Sequence, residues 1–499
     1  MNKRAKLSIY DFRIWWYDTL IKVDLTEFEK GETYMAKSLA HIAERKAFEM
    51  TLNSIIKKSR DQDLASVMLP LVDKVEKIMG DDWEASSFEM LRNLANDPDS
   101  KWTHYTERIL REVDPHILKT FLLNAGYEAG FRGYKTSCEM KKKHGCNIPW
   151  IILMDPTTAC NLHCTGCWAA EYGNRLNLSF EEMDKVITEG KELGIYAYLF
   201  TGGEPLIRKD DIIRLCEKHK DVAFHAFTNG TLIDEKFCED LLRVGNFFVS
   251  VSIEGFEESN DGRRGEGHYH KALAAMDLMH KHRIPFGVSI CYTSRNYLTV
   301  TSDEFLDMLI DKGCVFAWFF HYMPVGNNAS TDLLLSPEQR KYMYHKIREI
   351  RGIEGGKELF AIDFQNDGEF VHGCVAGGER YCHINANGDV EPCVFIHYSG
   401  ANIKEKSLLE CLKQPLFMAY KEGQPFNDNF LKPCPMLENP EILQQLVNKT
   451  GAKSTDLEAP ESCEHLCGKC TEYAKAWAPV ADELWAAGHT PAADKPRNE

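Results

Sequence analysis

The chain has 499 residues, of which 44% are hydrophobic, and a formal net charge of −16 from 59 basic and 75 acidic residues. The length predicts two to four domains, and the acidic balance argues against a nucleic-acid partner because phosphates need neutralising cations. Its 17 cysteines, with no secretory leader pattern ahead of them, disfavour a disulfide framework and favour a reducing, cytoplasmic location.

Residues 1–147 are predicted to form a helical region. Apolar residues recur at three- and four-residue spacing in 34–59, 62–79, 86–96 and 114–132. Two aspartate–proline turns, at 97–99 and 114–115, separate these segments. No spacing typical of a catalytic site occurs in this region.

From 148 to 325 short apolar runs alternate with amphipathic helices, which predicts βαβ units and a parallel sheet. The predicted strands are 150–154, 196–201, 223–228, 247–252, 286–291 and 316–321, and the helices between them are 180–193, 210–219, 234–243, 270–283 and 303–312. Six repeats are too few for a closed eight-stranded barrel. We therefore predict an open, partial (β/α)6 barrel with its active face at the C-terminal strand ends.

Residues 326–486 lose this alternation and are predicted to form a small cysteine-rich α+β domain. A helix is expected at 337–350, a glycine- and cysteine-rich stretch at 366–400, and a loop-rich stretch at 424–470. The polar residues 487–499 are expected to be a disordered tail.

Three cysteines directly follow the first predicted strand: Cys160, Cys164 and Cys167. Three thiolates cover three irons of a [4Fe–4S] cluster, where a fourth would close it. The open iron can then be chelated by a cofactor that receives an electron. A zinc site or buried free thiols are the alternatives that the spacing alone leaves open.

At this point the sequence resembles the radical S-adenosylmethionine (radical SAM) superfamily over roughly 148–325. Gly202, Gly203 and Glu204, with Pro205, look like the family's GGEP element, which implies that Glu204 binds the ammonium of S-adenosylmethionine. Ser252 and Glu254 match the ribose-contacting element. The turn 228–230, Thr-Asn-Gly, resembles another family turn, and an ordinary left-handed turn is its alternative.

One departure concerns the aromatic residue that the family usually has before its third cysteine, beside the adenine. This chain has Gly166 there and Trp168 one step beyond the cysteine. Trp168 is the candidate for the cofactor's stacking face, and core packing is the alternative.

The later cysteines resemble the opening of the SPASM or twitch domains that carry auxiliary iron–sulfur clusters. Cys374 precedes Gly388 and Cys393 at the family's spacing, residues 383–393 predict a β-hairpin, and Cys434 between two prolines is a plausible third ligand.

The full SPASM pattern is not followed, because its middle run C-x2-C-x5-C-x3-C is absent. Instead Cys463, Cys467 and Cys470 could complete the first auxiliary cluster, hold a second one, or form a zinc knuckle. Cys382 is a candidate fourth ligand, radical-quenching hydrogen donor or free thiol. The remaining cysteines at 138, 146, 216, 238, 314 and 411 are expected to be packing residues.

The motifs predict an anaerobic oxidoreductase that cleaves S-adenosylmethionine with electrons from a donor such as flavodoxin or ferredoxin, on an unidentified small-molecule, lipid or peptide substrate. A peptide maturase is one alternative, although the helical N-terminus does not resemble a peptide-docking module. A lipid-modifying enzyme of the C–C coupling type with peripheral membrane contact is another. It is suggested by the aromatic segment 9–21, which could lie at a membrane surface or dock on the core, and by 117–131, which could line an acyl channel or simply pack. No run approaches the roughly 20 apolar residues needed to span a bilayer. The alternative outside enzymes is an iron–sulfur electron carrier or redox sensor.

Overall fold

The computed structural model describes residues 34–59, 62–79, 85–169, 176–352 and 356–488. The predicted interfacial segment 9–21 lies outside these ranges, as does the predicted disordered tail except for residues 487 and 488, which belong to the last helix.

A nine-stranded sheet is the centre of the fold. The strands, with a separate two-stranded pair at the end, are β1 Ile151–Met154, β2 Ala197–Phe200, β3 Ala223–Thr228, β4 Phe247–Ser252, β5 Phe286–Tyr292, β6 Cys314–His321, β7 Phe360–Asp363, β8 Tyr381–Ile384, β9 Val390–Glu391, β10 Tyr398–Ser399 and β11 Lys453–Ser454. The order across the sheet is β7-β6-β5-β4-β3-β2-β1-β8-β9. All neighbours are parallel except β8 and β9, which form an antiparallel hairpin.

Helices cover the outer face of this sheet and also form most of the described chain before β1 and after β9. Among the described residues they are α1 Tyr34–Lys58, α2 Leu64–Met79, α3 Ala85–Asn96, α4 Lys101–Glu112, α5 Pro115–Phe121, α6 Tyr134–His144, α7 Phe180–Glu192, α8 Lys209–Lys218, α9 Glu235–Val244, α10 Glu257–Arg264, α11 His268–Lys281, α12 Asp303–Asp311, α13 Pro337–Arg351, α14 Gly368–Val371, α15 Leu408–Leu412, α16 Pro415–Gly423, α17 Pro440–Thr450 and α18 Cys463–Gly488. A π-helix, Leu122–Gly133, joins α5 to α6.

The partial barrel predicted from the sequence is confirmed, and its six strands begin and end within two residues of the predicted positions. Two further strands, β7 and β8, extend the sheet at its two edges although both follow residue 325 in the chain. The sheet therefore runs across the predicted domain boundary, and the boundaries themselves stay predictions.

One prediction about helices is wrong. The stretch 424–470 is not loop-rich throughout, since α17 and the start of α18 lie within it. The segment 114–132 is helical as predicted, and it changes from an α-helix to a π-helix at Leu122. In addition α10 was not predicted, because its sequence is polar on every side and has no apolar period.

The N-terminal helices close the barrel at the N-terminal ends of its strands. The Asn124 side chain donates to the carbonyls of Lys220 and Val222, just before β3, at 2.8 and 3.0 Å. Tyr105 donates to the carbonyl of Val315 at the start of β6. This region consequently lies at the opposite end of the strands from the cysteine loop that follows β1.

Candidate functional site

The loop after β1 carries the three predicted ligand cysteines, and all three are half-buried. The amide of Cys167 donates to the carbonyl of Cys164 at 3.2 Å, so the last two cysteines share one tight turn. Burial raises the pKa of the Cys160 thiol to about 11, and it also raises the pKa of Cys167. These thiols become thiolates only when a metal replaces the proton.

A cationic helix end lies against this loop. The amide of Thr165 donates to the carbonyl of Arg263 at 2.9 Å, and the Arg264 guanidinium lies 3.9 Å from the Cys164 sulfur. A guanidinium beside thiolates offsets the negative charge of a cluster that they bind. These two arginines of α10 were missed from the sequence, where only their adjacency at the end of a polar segment marks them.

The GGEP element packs directly on the cysteine loop. Gly202 has a positive φ of +99°, and a Cβ there would lie 2.8 Å from the Cβ of Asp155. A Cβ at Gly203 would lie 2.2 Å from the carbonyl oxygen of Ala159. Both glycines are therefore required for the close approach of β2 to the loop after β1.

Glu204 is buried and joins the GGEP element to the turn after β3. One carboxylate oxygen accepts from the Thr228 hydroxyl at 2.6 Å and from the Leu206 amide at 3.0 Å, and the other accepts from the Asn229 amide at 2.7 Å. Burial raises the pKa of Glu204, and these donors oppose the rise. Each carboxylate oxygen has two lone pairs, so the second oxygen can still accept from a bound ammonium.

The turn after β3 is in turn bonded to the cysteine loop. The Asn229 amide group donates to the Asn161 side chain at 2.7 Å, and Asn161 donates to the Thr231 hydroxyl at 2.8 Å. Because Asn161 directly follows Cys160, the predicted ligand and the predicted cofactor-binding turn are held as one unit.

Glu254 is fully buried and holds both arginines of α10. One oxygen accepts from Arg263 at 2.6 Å and from Arg264 at 2.5 Å, and the other accepts from the Cys291 amide at 2.9 Å. Ser252, the last residue of β4, lies two residues before Glu254 and is buried. The predicted contact of these two residues with a ribose stays a prediction.

The auxiliary cysteines Cys374, Cys393 and Cys434 come from three separate loops and lie around Tyr381 and Tyr420. Cys393 follows the predicted hairpin, which the structure confirms as β8 and β9, and its sulfur lies 2.7 Å from the Tyr381 hydroxyl. The sulfur of Cys434 accepts from two backbone amides at 3.4 Å each. Burial raises the pKa of Cys374 to about 12 and that of Cys393 to about 11.

The second set, Cys463, Cys467 and Cys470, occupies one face of the first two turns of α18. The Cys463 and Cys467 sulfurs are 3.8 Å apart, and Cys467 lies within electrostatic range of Cys434. The buried Tyr420 hydroxyl has no hydrogen-bond partner among the described residues, and it lies within range of both sets of thiols. A metal cluster that fills the space between them would give this hydroxyl an acceptor.

Within the described ranges no three His, Cys, Asp or Glu side chains are placed to hold a single metal ion. A [4Fe–4S] cubane requires a wider arrangement of ligands than a single ion does, because each cysteine binds a different iron at a different corner. The donor sets are all thiols, which suits iron–sulfur clusters.

Two family models match the chain. The radical SAM superfamily model matches residues 154–309, and the iron–sulfur cluster-binding SPASM domain matches residues 374–436. The chain is a radical SAM enzyme with a SPASM domain. These domains imply a [4Fe–4S] cluster, S-adenosylmethionine and auxiliary iron–sulfur clusters.

Named relatives of this radical SAM enzyme have different substrates. It is 25% identical to an AdoMet-dependent heme synthase of Methanosarcina barkeri over 368 residues, which are 68% of this chain and 93% of the relative. It is 26% identical to a PqqA peptide cyclase of Granulibacter bethesdensis over 49% of this chain and 67% of the relative. The fold is similar to that of Streptococcus suis SuiB in its complex with the precursor peptide SuiA, with a TM-score of 0.50, 18% identity, and coverage of 61% of this chain and 75% of SuiB.

Trp168 extends from the cysteine loop of the radical SAM domain toward the SPASM hairpin. Its ring packs edge-on against His383, Phe395 and His397, with ring centroids 5.8–6.3 Å apart. These contacts correspond to the packing role that the sequence left open, and contact with the cofactor stays a prediction.

Tyr322, just after β6, occupies the space beside Gly166. A Cβ at Gly166 would lie 2.7 Å from the Tyr322 ring, and the buried Tyr322 hydroxyl has no hydrogen-bond partner in the described part of the chain. An unpaired buried hydroxyl beside the cysteine loop fits a site that a polar cofactor completes.

The other cysteines of the radical SAM enzyme divide into two groups by orientation. Cys382 is fully buried in the core between sheet and helices, together with Cys146, Cys216, Cys238, Cys314 and Cys411. This position does not bring Cys382 to the auxiliary thiols or to the barrel interior. Cys291 alternates with the buried Ile290 and Tyr292 and faces the interior instead.

A buried charged group joins the two domains. His383 on β8 lies 2.9 Å from Asp155, at the end of β1, and 2.6 Å from Glu391 on β9. Burial alone would lower the pKa of His383, but the two carboxylates outweigh it and raise this pKa to about 10. None of these three residues was singled out in the sequence, because their pairing depends on β8 lying beside β1.

Proposed function

We propose that this radical SAM enzyme abstracts a hydrogen atom from an organic substrate bound inside the partial barrel. The observation that carries the proposal is the single hydrogen-bonded unit formed by the cysteine loop, the GGEP element and the turn after β3. It lies at the C-terminal strand ends, where barrel enzymes have their active sites.

In this proposal Cys160, Cys164 and Cys167 hold the [4Fe–4S] cluster, and Gly202, Gly203, Glu204, Ser252, Glu254 and Trp168 surround S-adenosylmethionine. When bound, the cluster supplies the electron that cleaves the cofactor and yields a 5′-deoxyadenosyl radical. Glu204 orients the cofactor's ammonium, while Glu254 keeps the arginines of α10 against the cluster loop. Half-burial of the three cysteines limits the access of water.

Cys374, Cys393 and Cys434 would hold an auxiliary cluster, and Cys463, Cys467 and Cys470 a further metal. These cysteines lie in or against the buried hydrophobic core that includes Leu153 of β1 and Leu199 of β2 and packs on Phe320 of β6, so their thiols lie on the interior side of the sheet. A cluster in this place can accept an electron from a substrate radical or bind part of the substrate.

The barrel interior favours a substrate with an extended apolar or conjugated surface. Phe227 on β3 packs on Trp318 and Phe320 of β6, at centroid distances of 6.0 and 5.6 Å. Phe364 continues this series toward Phe395 in the SPASM domain. Aromatic side chains line pockets for planar ligands, so a tetrapyrrole, as the heme synthase relative suggests, is our first candidate.

A peptide is the second candidate, because the peptide cyclase relative is 26% identical over 49% of this chain. The lipid alternative has no support in the comparisons. The segment 117–131, proposed as an acyl channel, packs at the N-terminal ends of the strands, and none of the helices that the structure describes is long and apolar enough to cross a membrane.

The test is anaerobic release of 5′-deoxyadenosine by the reconstituted enzyme with a flavodoxin or ferredoxin as donor. Cys160→Ala, Cys164→Ala and Cys167→Ala should each abolish release, because two thiolates cannot hold the cluster. Cys138→Ala, a half-buried cysteine on α6, is the matched control and should retain release. Release by the triple alanine variant at the rate of the unmodified enzyme would refute the proposal. Mass spectrometry of tetrapyrrole, peptide and lipid extracts then separates the substrate classes.

A further inference from the structure

A buried ion pair connects the barrel to the auxiliary cysteine Cys434. Glu438, four residues after Cys434, accepts from the Cys434 amide at 2.8 Å with one oxygen. With its other oxygen it accepts from Arg340 at 2.6 Å. Both side chains are essentially inaccessible, at 1% and 0% exposure. A buried guanidinium needs a carboxylate counter-ion, and Glu438 is in position to supply it.

Arg340 is fixed from several sides. It lies on α13, which begins at a capping box formed by Ser336 and Gln339. Its Nε donates to Asn366 at 3.0 Å, and its guanidinium lies 4.3 Å from the centroid of the Trp477 ring on α18. Such a planar, multiply bonded arginine has little freedom to move.

From Arg340 the hydrogen bonds continue to the strand ends of the barrel. Asn366 donates to Asp363, at the end of β7, at 2.8 Å, and Asp363 accepts from Tyr292, the last residue of β5, at 2.9 Å. Tyr473, which accepts from Arg340 at 3.1 Å, lies 3.1 Å from His321 of β6. Through these hydrogen bonds, the position of Cys434 is fixed relative to three strands of the sheet, β5, β6 and β7.

The carboxylate of Glu438 also lies within electrostatic range of cysteines of both auxiliary sets, namely Cys434, Cys374 and Cys470. A buried cluster held by these thiols would feel the charge of Glu438 strongly.

We propose that Glu438 is a positioning residue that fixes Cys434 relative to the barrel and sets the reduction potential of the auxiliary cluster, with Arg340 as its counter-ion. This inference rests on the proposed auxiliary cluster. A fixed negative charge beside a cluster disfavours the added electron, so Glu438 lowers the reduction potential. The buried arginine partly offsets this effect.

The experiment uses the full chain with Cys160, Cys164 and Cys167 changed to alanine, so that only auxiliary iron is observed. Glu438→Gln keeps the size of the side chain and an acceptor for the Cys434 amide, but removes the charge. Asp367→Asn is the matched control, because Asp367 pairs with Arg351, a second buried arginine of α13, at 2.7 Å. Iron content and the midpoint potential by electron paramagnetic resonance titration are measured for each protein.

We expect Glu438→Gln to keep its iron and to shift the midpoint potential to more positive values, while Asp367→Asn leaves it unchanged. Glu438→Asp, which keeps the charge, should shift it less than Glu438→Gln. An unshifted potential in Glu438→Gln, or an equal shift in the Gln and Asp variants, would overturn the inference.

If Glu438→Gln does not fold, Glu438→Asp and Arg340→Lys are measured instead. Both variants keep the charges but alter the hydrogen bonds that hold Cys434 in place. A fall in auxiliary iron relative to Asp367→Asn supports the positioning role, and unchanged iron and potential in both variants overturn it. Absence of iron from the background protein with Glu438 intact would refute the auxiliary cluster itself, which separates the two failures.

Discussion

Glu204 illustrates how much a single residue's role depends on its neighbours. The sequence predicts a ligand for the cofactor's ammonium, and the structure adds that the same carboxylate organises Thr228 and Asn229. We expect Glu204→Gln to weaken S-adenosylmethionine binding by about 1.5–3 kcal/mol, the range for a hydrogen bond to a charged group, or about 10- to 150-fold in the dissociation constant. Equilibrium dialysis against the cluster-loaded protein measures this change.

Thr228→Val is the control for this prediction, because it removes a donor to Glu204 without removing the carboxylate. It should weaken cofactor binding less than Glu204→Gln does. If the glutamine variant binds as tightly as the unmodified protein, Glu204 serves only to hold the turn after β3.

Glu254 supports a prediction about stability at the residue scale. Its buried carboxylate is the partner of Arg263 and Arg264, and a neutral side chain would leave two buried cations without a counter-charge. We expect Glu254→Gln to lower the free energy of unfolding by about 3–5 kcal/mol, the usual effect of breaking a buried pair. Thermal unfolding under anaerobic conditions measures the change.

The matched control is Glu257→Gln on the same helix, where an exposed glutamate pairs with His270. An exposed pair contributes little, so this variant should unfold near the temperature of the unmodified protein. Equal effects of the two variants would show that Glu254 is not the counter-ion that the geometry indicates.

At the scale of elements, the strands of the barrel and α13 were predictable, whereas the helices after residue 400 were not. Buried parallel strands are continuous apolar runs, and each lies in the sequence between clear turns. The α18 helix begins in the cysteine-rich stretch, where the sequence offered cysteine spacing rather than an apolar period. Cys463, Cys467 and Cys470 recur at the intervals of a helical face, which was the available signal.

The site residues likewise divide into those that the sequence predicted and those that only the structure revealed. The cysteines and the GGEP glutamate were found because they are close in sequence and carry motifs. Arg340 and Glu438, 98 positions apart, were not found, because only the packing of α13 against the loop before α17 brings them together.

Iron content tests what the α18 cysteines do as an element. The variant with Cys160, Cys164 and Cys167 changed to alanine should still bind about four irons if one auxiliary cubane forms and about eight if two form. Replacing Cys463, Cys467 and Cys470 as well should lower eight to about four in the second case. Iron and zinc are counted by mass spectrometry after anaerobic reconstitution, and a protein without iron would leave these cysteines to zinc or to packing.

At the scale of the whole molecule, the sheet joins the radical SAM and SPASM domains. β8 pairs with β1 over four residues, and the Asp155–His383–Glu391 group lies at the end of that pairing. The charged group and the backbone ladder hold the auxiliary hairpin at a fixed place beside the cysteine loop. We therefore expect the two domains to unfold together.

This arrangement predicts how the stability of the whole molecule depends on pH. The pKa of His383 is raised to about 10 in the folded protein, compared with about 6.5 for an unfolded histidine. A raised pKa contributes stability that is fully present below the unfolded value and is lost as pH rises through the folded value. The unfolding temperature should consequently fall between about pH 6 and about pH 8, below the range where unfolded thiols ionise.

Asp155→Asn isolates this contribution, because it removes one of the two carboxylates that keep His383 protonated while retaining the size of the side chain. The variant's unfolding temperature should depend less on pH over the same interval than that of the unmodified protein. His270→Asn is the control, because His270 pairs with a glutamate on the surface, and its pH dependence should match that of the unmodified protein. Equal slopes for Asp155→Asn and the unmodified protein would show that His383 is not held charged between β1 and β9. The connection between the domains would then depend on the backbone ladder and on the packing of Trp168.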